Sequence, residues 1–158
     1  MSIPRINEIL EMGFNGTEYL ASDYDDDIDI AAPKQYLITT GAKKCHIQIR
    51  VKAKATATVA LNKNVVLGAG GSVSPGSAVT VIKRDQSYTT SSITAIAKDY
   101  LLGNTDQSAG TAIITEYQLA DEETILKFVL APSTKYGLIF TSIADDNIAS
   151  FHFEFEEI

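Results

Sequence analysis

The sequence has no tryptophan, a single cysteine, two histidines and four prolines in 158 residues. With only Cys45 present, an intrachain disulfide is excluded and the fold must be held by its own core. Zinc needs three or four preorganised ligands, and neither His46 nor His152 has a second ligand at helical or knuckle spacing, so no metal site is expected. Positive charge is in deficit: 13 Lys and Arg against 20 Asp and Glu give a formal charge of -7. That balance repels phosphate backbones and anionic lipid, so neither nucleic acid nor membrane is an expected partner. No apolar run approaches the ~20 residues of a membrane span. The opening residues Met1 to Glu8 lack the apolar stretch of a secretory signal, which predicts a protein made and kept in a cytosol.

What is present suits one domain. Hydrophobic residues make up 45% and charged residues 21%, the balance of a globular chain, and this length buries a sizeable core. From Gln35 onward the pattern has period 2. Cys45, Ile47, Ile49 and Val51 are apolar while His46, Gln48, Arg50 and Lys52 are polar, as in a strand with one wet face. Ala53 to Leu61, Ala78 to Arg84, Gly110 to Tyr117, Tyr136 to Ser142 and Ile148 to Glu156 read as further strands, separated by Gly, Pro, Asn and Asp turn-formers. The expected class is all-β, an antiparallel sandwich or jelly roll spanning residues 35–158. Ser92 to Gly103 instead carries Ile93, Ile96, Ala97, Tyr100 and Leu101 at helical spacing, with Ser92 as cap and Gly103 as stop; Ala120 to Leu130 fits helix or strand equally.

Residues 1–34 form an expected amino-terminal arm and acidic segment. Pro4 suits a first helical turn, Ile6, Ile9 and Leu10 share a face, and Gly13 is placed to end a short helix over residues 4–12. Asn15-Gly16-Thr17 reads as a turn. Asp23-Tyr24-Asp25-Asp26-Asp27-Ile28-Asp29 places five carboxylates in seven positions, a solvated stretch dividing arm from domain. Asp23, Asp25 and Asp27 alternate as in a calcium loop, but Ile28 and Lys34 stand where that loop needs Gly and Glu.

The chain offers little catalytic chemistry. Gly68 to Ser72 leads into Val73-Ser74-Pro75-Gly76 and not into a helix, so it makes no phosphate cradle. There is no Gly-x-Ser-x-Gly elbow. Lys44 and His46 flank Cys45, yet its apolar phase makes it a buried structural thiol. Phe151, Phe153 and Phe155 alternate with Ser150, His152, Glu154 and Glu156 and read as a core face. No enzyme and no cofactor are expected. If the strand carrying Arg50 and Lys52 neighbours the one carrying Glu154 and Glu156, cross-strand ion pairs would fix their register, each contributing roughly 0.2–1 kcal/mol.

Gln35-Tyr36-Leu37-Ile38-Thr39-Thr40-Gly41-Ala42-Lys43-Lys44-Cys45-His46-Ile47 resembles a motif of small structural proteins of tailed-phage heads, in which a Tyr-Leu-x-x-Thr-Thr-Gly turn precedes a His-containing strand. Gly76 to Arg84 is similar to the family's strand ending in a basic turn, with Lys83-Arg84-Asp85-Gln86 where Asn-Arg-Asn-Arg would stand. Gly110 to Ile114 resembles its Gly-Thr strand, Leu130 to Tyr136 its Leu-Lys-Pro-Asn-Thr-x-Tyr turn, and Phe151 to Glu157 its aromatic-acidic last strand, so the likeness runs from about Tyr36 to the end. The resemblance implies a β-sandwich, trimeric, that decorates the capsid exterior of the virion by bridging major capsid protein subunits. It also implies a strand at Ala95 to Tyr100, against the helical spacing. The expected capsid contacts are the arm stripe Ile6, Ile9 and Leu10 with Asp25, Asp26 and Asp27, although the stripe could instead pack back on its own sandwich. The alternative function is a glycan-binding or head-fibre attachment module, for which the absence of Trp and 8% aromatics are a poor endowment.

Overall fold

The computed structural model describes residues 18–67, 77–87, 91–100 and 108–158. Among them run β1 (Glu18–Ile28), β2 (Lys34–Thr39), β3 (Cys45–Ala53), β4 (Ala57–Lys63), β5 (Ser77–Val79), β6 (Val81–Lys83), β7 (Ala95–Lys98), β8 (Thr111–Gln118), β9 (Glu123–Leu130), β10 (Lys135–Ser142) and β11 (Asn147–Glu157). They form two antiparallel sheets, in the orders β6-β1-β11-β3-β9 and β5-β7-β2-β10-β4-β8. No two strands consecutive in the chain are hydrogen-bonded neighbours. Instead β4 pairs with β8, β3 with β9, β2 with β10 and β1 with β11. These eight strands are one long antiparallel ribbon wound into two four-stranded sheets, which is a jelly roll. β5, β6 and β7 are an excursion between β4 and β8 that extends both sheets on the β1 and β2 side.

Alternation drives the packing. Cys45, Ile47, Ile49, Val51 and Ala53 on β3 and Phe151, Phe153 and Phe155 on β11 are buried between the sheets, as their phase predicts. Tyr36 of the facing sheet sits 4.7 Å from Phe151 and 5.4 Å from Phe153 between ring centroids, and Phe140 meets Phe151 edge-on at 5.4 Å. Truncating one such phenylalanine to alanine costs about 3–5 kcal/mol through lost burial and the cavity left behind.

Several sequence expectations are corrected. Ser92 to Gly103 contributes strand β7: Ala95 to Lys98 pair with β2, and the Ser92 hydroxyl, expected as a helix cap, bonds the Glu157 carboxylate at 2.7 Å. A short apolar spacing gives way to the open main-chain edge of β2. Ala78 to Arg84 is two strands in different sheets, because the chain crosses from one to the other at Thr80. The Ala120 to Leu130 ambiguity resolves as strand β9. The boundary at residue 34 also moves, since Glu18 to Ile28 lies between β6 and β11 as a full member of the sandwich. The helix over 4–12, the turn at Asn15-Gly16 and the glycine run from Gly68 lie outside the described residues.

Two motifs of the resemblance interlock. Thr40, buried at the end of β2, donates from its hydroxyl to the Ala131 carbonyl at 2.6 Å and accepts from the Thr134 amide at 2.9 Å. The Ser133 amide donates to the Gly41 carbonyl at 2.7 Å, and the Ala131 amide donates to the Tyr136 hydroxyl at 2.8 Å. The turns after β2 and β9 are therefore one hydrogen-bonded unit at one end of the sandwich. Gly110 has a matching structural reason: its φ is +77°, and a Cβ there would meet the Lys63 carbonyl oxygen.

Candidate functional site

The acidic run is divided by strand geometry. Tyr19 and Ala21 point into the core, and the same phase carries Asp23 and Asp25 inward at the end of β1. Asp23 accepts a bond from the Tyr36 hydroxyl at 2.8 Å and pairs with Lys98 at 3.1 Å. Asp25 pairs with Lys34 at 2.8 Å, and Lys34 also reaches Asp99 at 3.2 Å with only 10% of its side chain exposed. Burial pushes the Asp25 carboxyl up, but the Lys34 ammonium and the Asp27 amide bonded to it hold it below its ordinary value. Burial likewise pulls Lys34 down and is outweighed by Asp25 and Asp99, so its pKa is raised. These groups tie β1 of one sheet to β2 and β7 of the other. Asp25, expected to contact a partner, is occupied inside the fold.

A bulge between Asp25 and Ile28 turns the remaining acids outward. Asp26 and Asp27 are exposed, and Asp27, Asp29 and Asp146 place carboxylate oxygens within 4.8 Å of one another. Asp29 and Asp146 raise the Asp27 pKa by repulsion. Any hard cation held there would be bound by these three, and not by the alternating Asp23, Asp25 and Asp27 of the sequence pattern.

Cys45 is fully buried and its thiol is pushed up to about 12, chiefly by burial, which fits a structural role. His46 and His152 stand on the solvent face of the five-stranded sheet. β3 and β11 are neighbours as expected, but the register sets Lys52 opposite Ser150, Arg50 opposite His152, Glu154 opposite Gln48 and Glu156 opposite His46. None of the four proposed register residues faces its opposite charge across this strand pair. Lys52 faces Glu123 on β9 instead. Bases and acids thus share one face of the five-stranded sheet without pairing directly across β3 and β11.

That face is hollowed. Two adjacent cross-strand rows, Leu20, Glu154, Gln48, Lys127 and Glu18, Glu156, His46, Val129, run across β1, β11, β3 and β9. Between them lies an open depression of about 440 Å³, reaching from Glu18 on β1 to Val129 on β9. A second depression of about 420 Å³, bordered by Leu20, Thr80, Ile82 and His152, shares Glu154 with it.

Among the described residues, the flank opposite β5 and β6 is formed by β8 and β9, the last strands of the two sheets. β8 is exposed along nearly its whole length, with Ile113 45% and Tyr117 62% exposed; Leu119 follows in the connecting loop and Ile125 stands on β9. Sequence reasoning read Gly110 to Tyr117 as a strand without seeing that it is an edge. Its mixed Ile-Ile-Thr-Glu-Tyr pattern, apolar on both phases, was the available signal. Comparison with protein-family models, curated proteins and solved structures finds no match to this chain.

Proposed function

We propose that the chain is an auxiliary, non-enzymatic protein of a tailed-phage virion, seated as a homotrimer on the capsid exterior and stabilising contacts between major capsid subunits. The observation that carries this reading is the β8–β9 flank: two strands that end their sheets among the described residues, flanked by exposed Ile113, Tyr117, Leu119 and Ile125. Unpaired main-chain groups and apolar side chains together suit addition of a partner's extended segment. The exposed Glu116, Asp121, Glu122 and Glu123, against Lys127, favour a neutral or basic segment. Asp26 and Asp27 remain exposed for a second contact. Jelly rolls serve in viral capsids, and the ordered motifs from Gln35 to Glu157 point the same way. A trimer on a repeating shell gains avidity from modest individual contacts.

Jelly rolls also serve in lectins. A glycan platform would need clustered aromatics, and Tyr24 and Tyr117, both strongly exposed, stand on different sheets. The test is binding to purified heads lacking this protein. Wild type should saturate regular sites, and Ile113→Lys with Tyr117→Lys should lower affinity at least about tenfold, the scale of one lost anchor. Failure of wild type to bind overturns the capsid reading; undiminished binding by the double variant moves the contact off this flank.

A further inference from the structure

We infer that copies of this chain meet on the outer face of the six-stranded sheet, at the end that carries Ile139, Thr141 and Ile143. Alternation makes the face: Val59, Leu61, Leu138 and Phe140 point into the core, so the residues between them point out. The register places Gln35, Ile139, Ala60 and Thr115 in one row and Thr141, Thr58 and Tyr117 in the next. Ile143, whose amide donates to the Thr56 carbonyl, continues the same phase and is 50% exposed. No side chain in these rows is charged. At its other end the face is closed by the chain itself, since Tyr100 and Val65 fill the space over Gly137.

Charge selects the occupant. The chain carries -7 overall, so two copies repel wherever their acids meet. The outer face of the five-stranded sheet holds Glu123, Glu154 and Glu156 among Arg50, Lys52 and Lys127, whereas the rows around Ile139 offer an identical chain no carboxylate at all. A basic partner gains nothing there. A second uncharged face does, because the contact takes Ile139, Ile143 and their neighbours out of water. The side chains are mostly Thr, Ala and Ile, short enough for two such faces to approach to the ~10 Å of packed sheets. Size agrees as well: three rows across four strands cover ~400 Å² in plan, about half of the ~800 Å² each partner buries in a standard interface. The remainder falls to a polar rim, where exposed Glu116, Lys135 and Asp145 stand. The contact rests on the homotrimer of the reading above and not on its capsid seat.

Sedimentation of the full chain in free solution tests it. Wild type should sediment as an oligomer. Ile143→Glu and Thr141→Arg, which bring a charge of either sign into the contact, should each raise the dissociation constant at least about tenfold with circular dichroism unchanged. Lys52→Glu, at an exposed position on the other sheet, should leave the assembly intact. In a second measurement, Ile143→Cys should react with a thiol reagent at least about tenfold more slowly in the oligomer than after dilution to monomer, while buried Cys45 stays silent. A wild type that stays monomeric, charged variants that assemble as wild type does, or a thiol at position 143 labelled equally fast at both concentrations overturns the interface. A chain that assembles this way yet fails to bind heads supports the interface and refutes the capsid seat alone, so the two failures are told apart.

Discussion

Replacing Lys34 with methionine tests whether the inward half of the acidic run is structural. The substitution keeps the unbranched apolar stem and removes the ammonium that lies 2.8 Å from Asp25 and 3.2 Å from Asp99. The two carboxylates then lose the ammonium that bridges them, and Lys98, which pairs with Asp23, acts on Asp25 only from beyond contact distance. Breaking a fully buried pair costs about 3–5 kcal/mol. The Asp25 and Asp99 side chains are 25% and 27% exposed and can recruit water, so a loss of about 2 kcal/mol is expected. Asp25 has a depressed pKa, so its contribution is present above the ordinary 3.8 and is lost as pH falls through the folded value. The raised Lys34 contributes below its ordinary 10.5 and is lost as pH rises above it. The cost of Lys34→Met should therefore be full near neutrality and shrink in acid as the bare carboxylates take protons. Urea unfolding followed by circular dichroism measures it, and adding Asp25→Asn should recover at least about 1 kcal/mol as a coupling energy. A neutral-pH effect below about 0.5 kcal/mol, or one that is the same at pH 3 and pH 7, would refute the argument.

Thr40→Val should cost about 1–3 kcal/mol in the same assay, because it strands the Ala131 carbonyl and the Thr134 amide at the locked turns. Ser133 has φ +49° where, among the described residues, the other non-glycine residues with positive φ are Asn or Asp. Ser133→Asn should raise stability by up to about 1 kcal/mol, read as a higher urea midpoint at unchanged slope. Asp27→Asn should raise the melting temperature at pH 7 by removing repulsion from Asp29 and Asp146. A carboxyl raised in the fold destabilises only when ionised, so this gain should vanish as pH falls below 3.8, and a gain that persists in acid would point to another cause.

The architecture was legible wherever alternation met a buried face. β3 and β11 read correctly because Cys45 to Ala53 and Phe151 to Phe155 each present an unbroken apolar phase. β1 did not, because its inward phase changes from Tyr19 and Ala21 to Asp23 and Asp25, and the cations that make those acids admissible come from Lys34 and Lys98, on strands of the other sheet. Local composition carries no trace of a partner 75 residues away. β7 was hidden for a related reason: four residues completing the edge of β2 answer to that edge and not to their own spacing. The register of Arg50 and Lys52 against Glu154 and Glu156 failed because strand adjacency is visible in charge pattern, whereas the four-residue offset that separates Lys52 from Glu154 is set by turns and bulges. Motifs that resemble phage head proteins turned out to lock the turns after β2 and β9, so their residue types follow from folding needs.

The most direct test of the central claim is the copy number of this chain in purified virions, counted against the major capsid protein by quantitative mass spectrometry. An auxiliary protein that bridges subunits over the whole shell should be present in hundreds of copies, in a fixed simple ratio to capsid subunits, as repeated weak sites require. Its absence from the particle, or a count of about a dozen confined to vertices or the tail, would contradict the account.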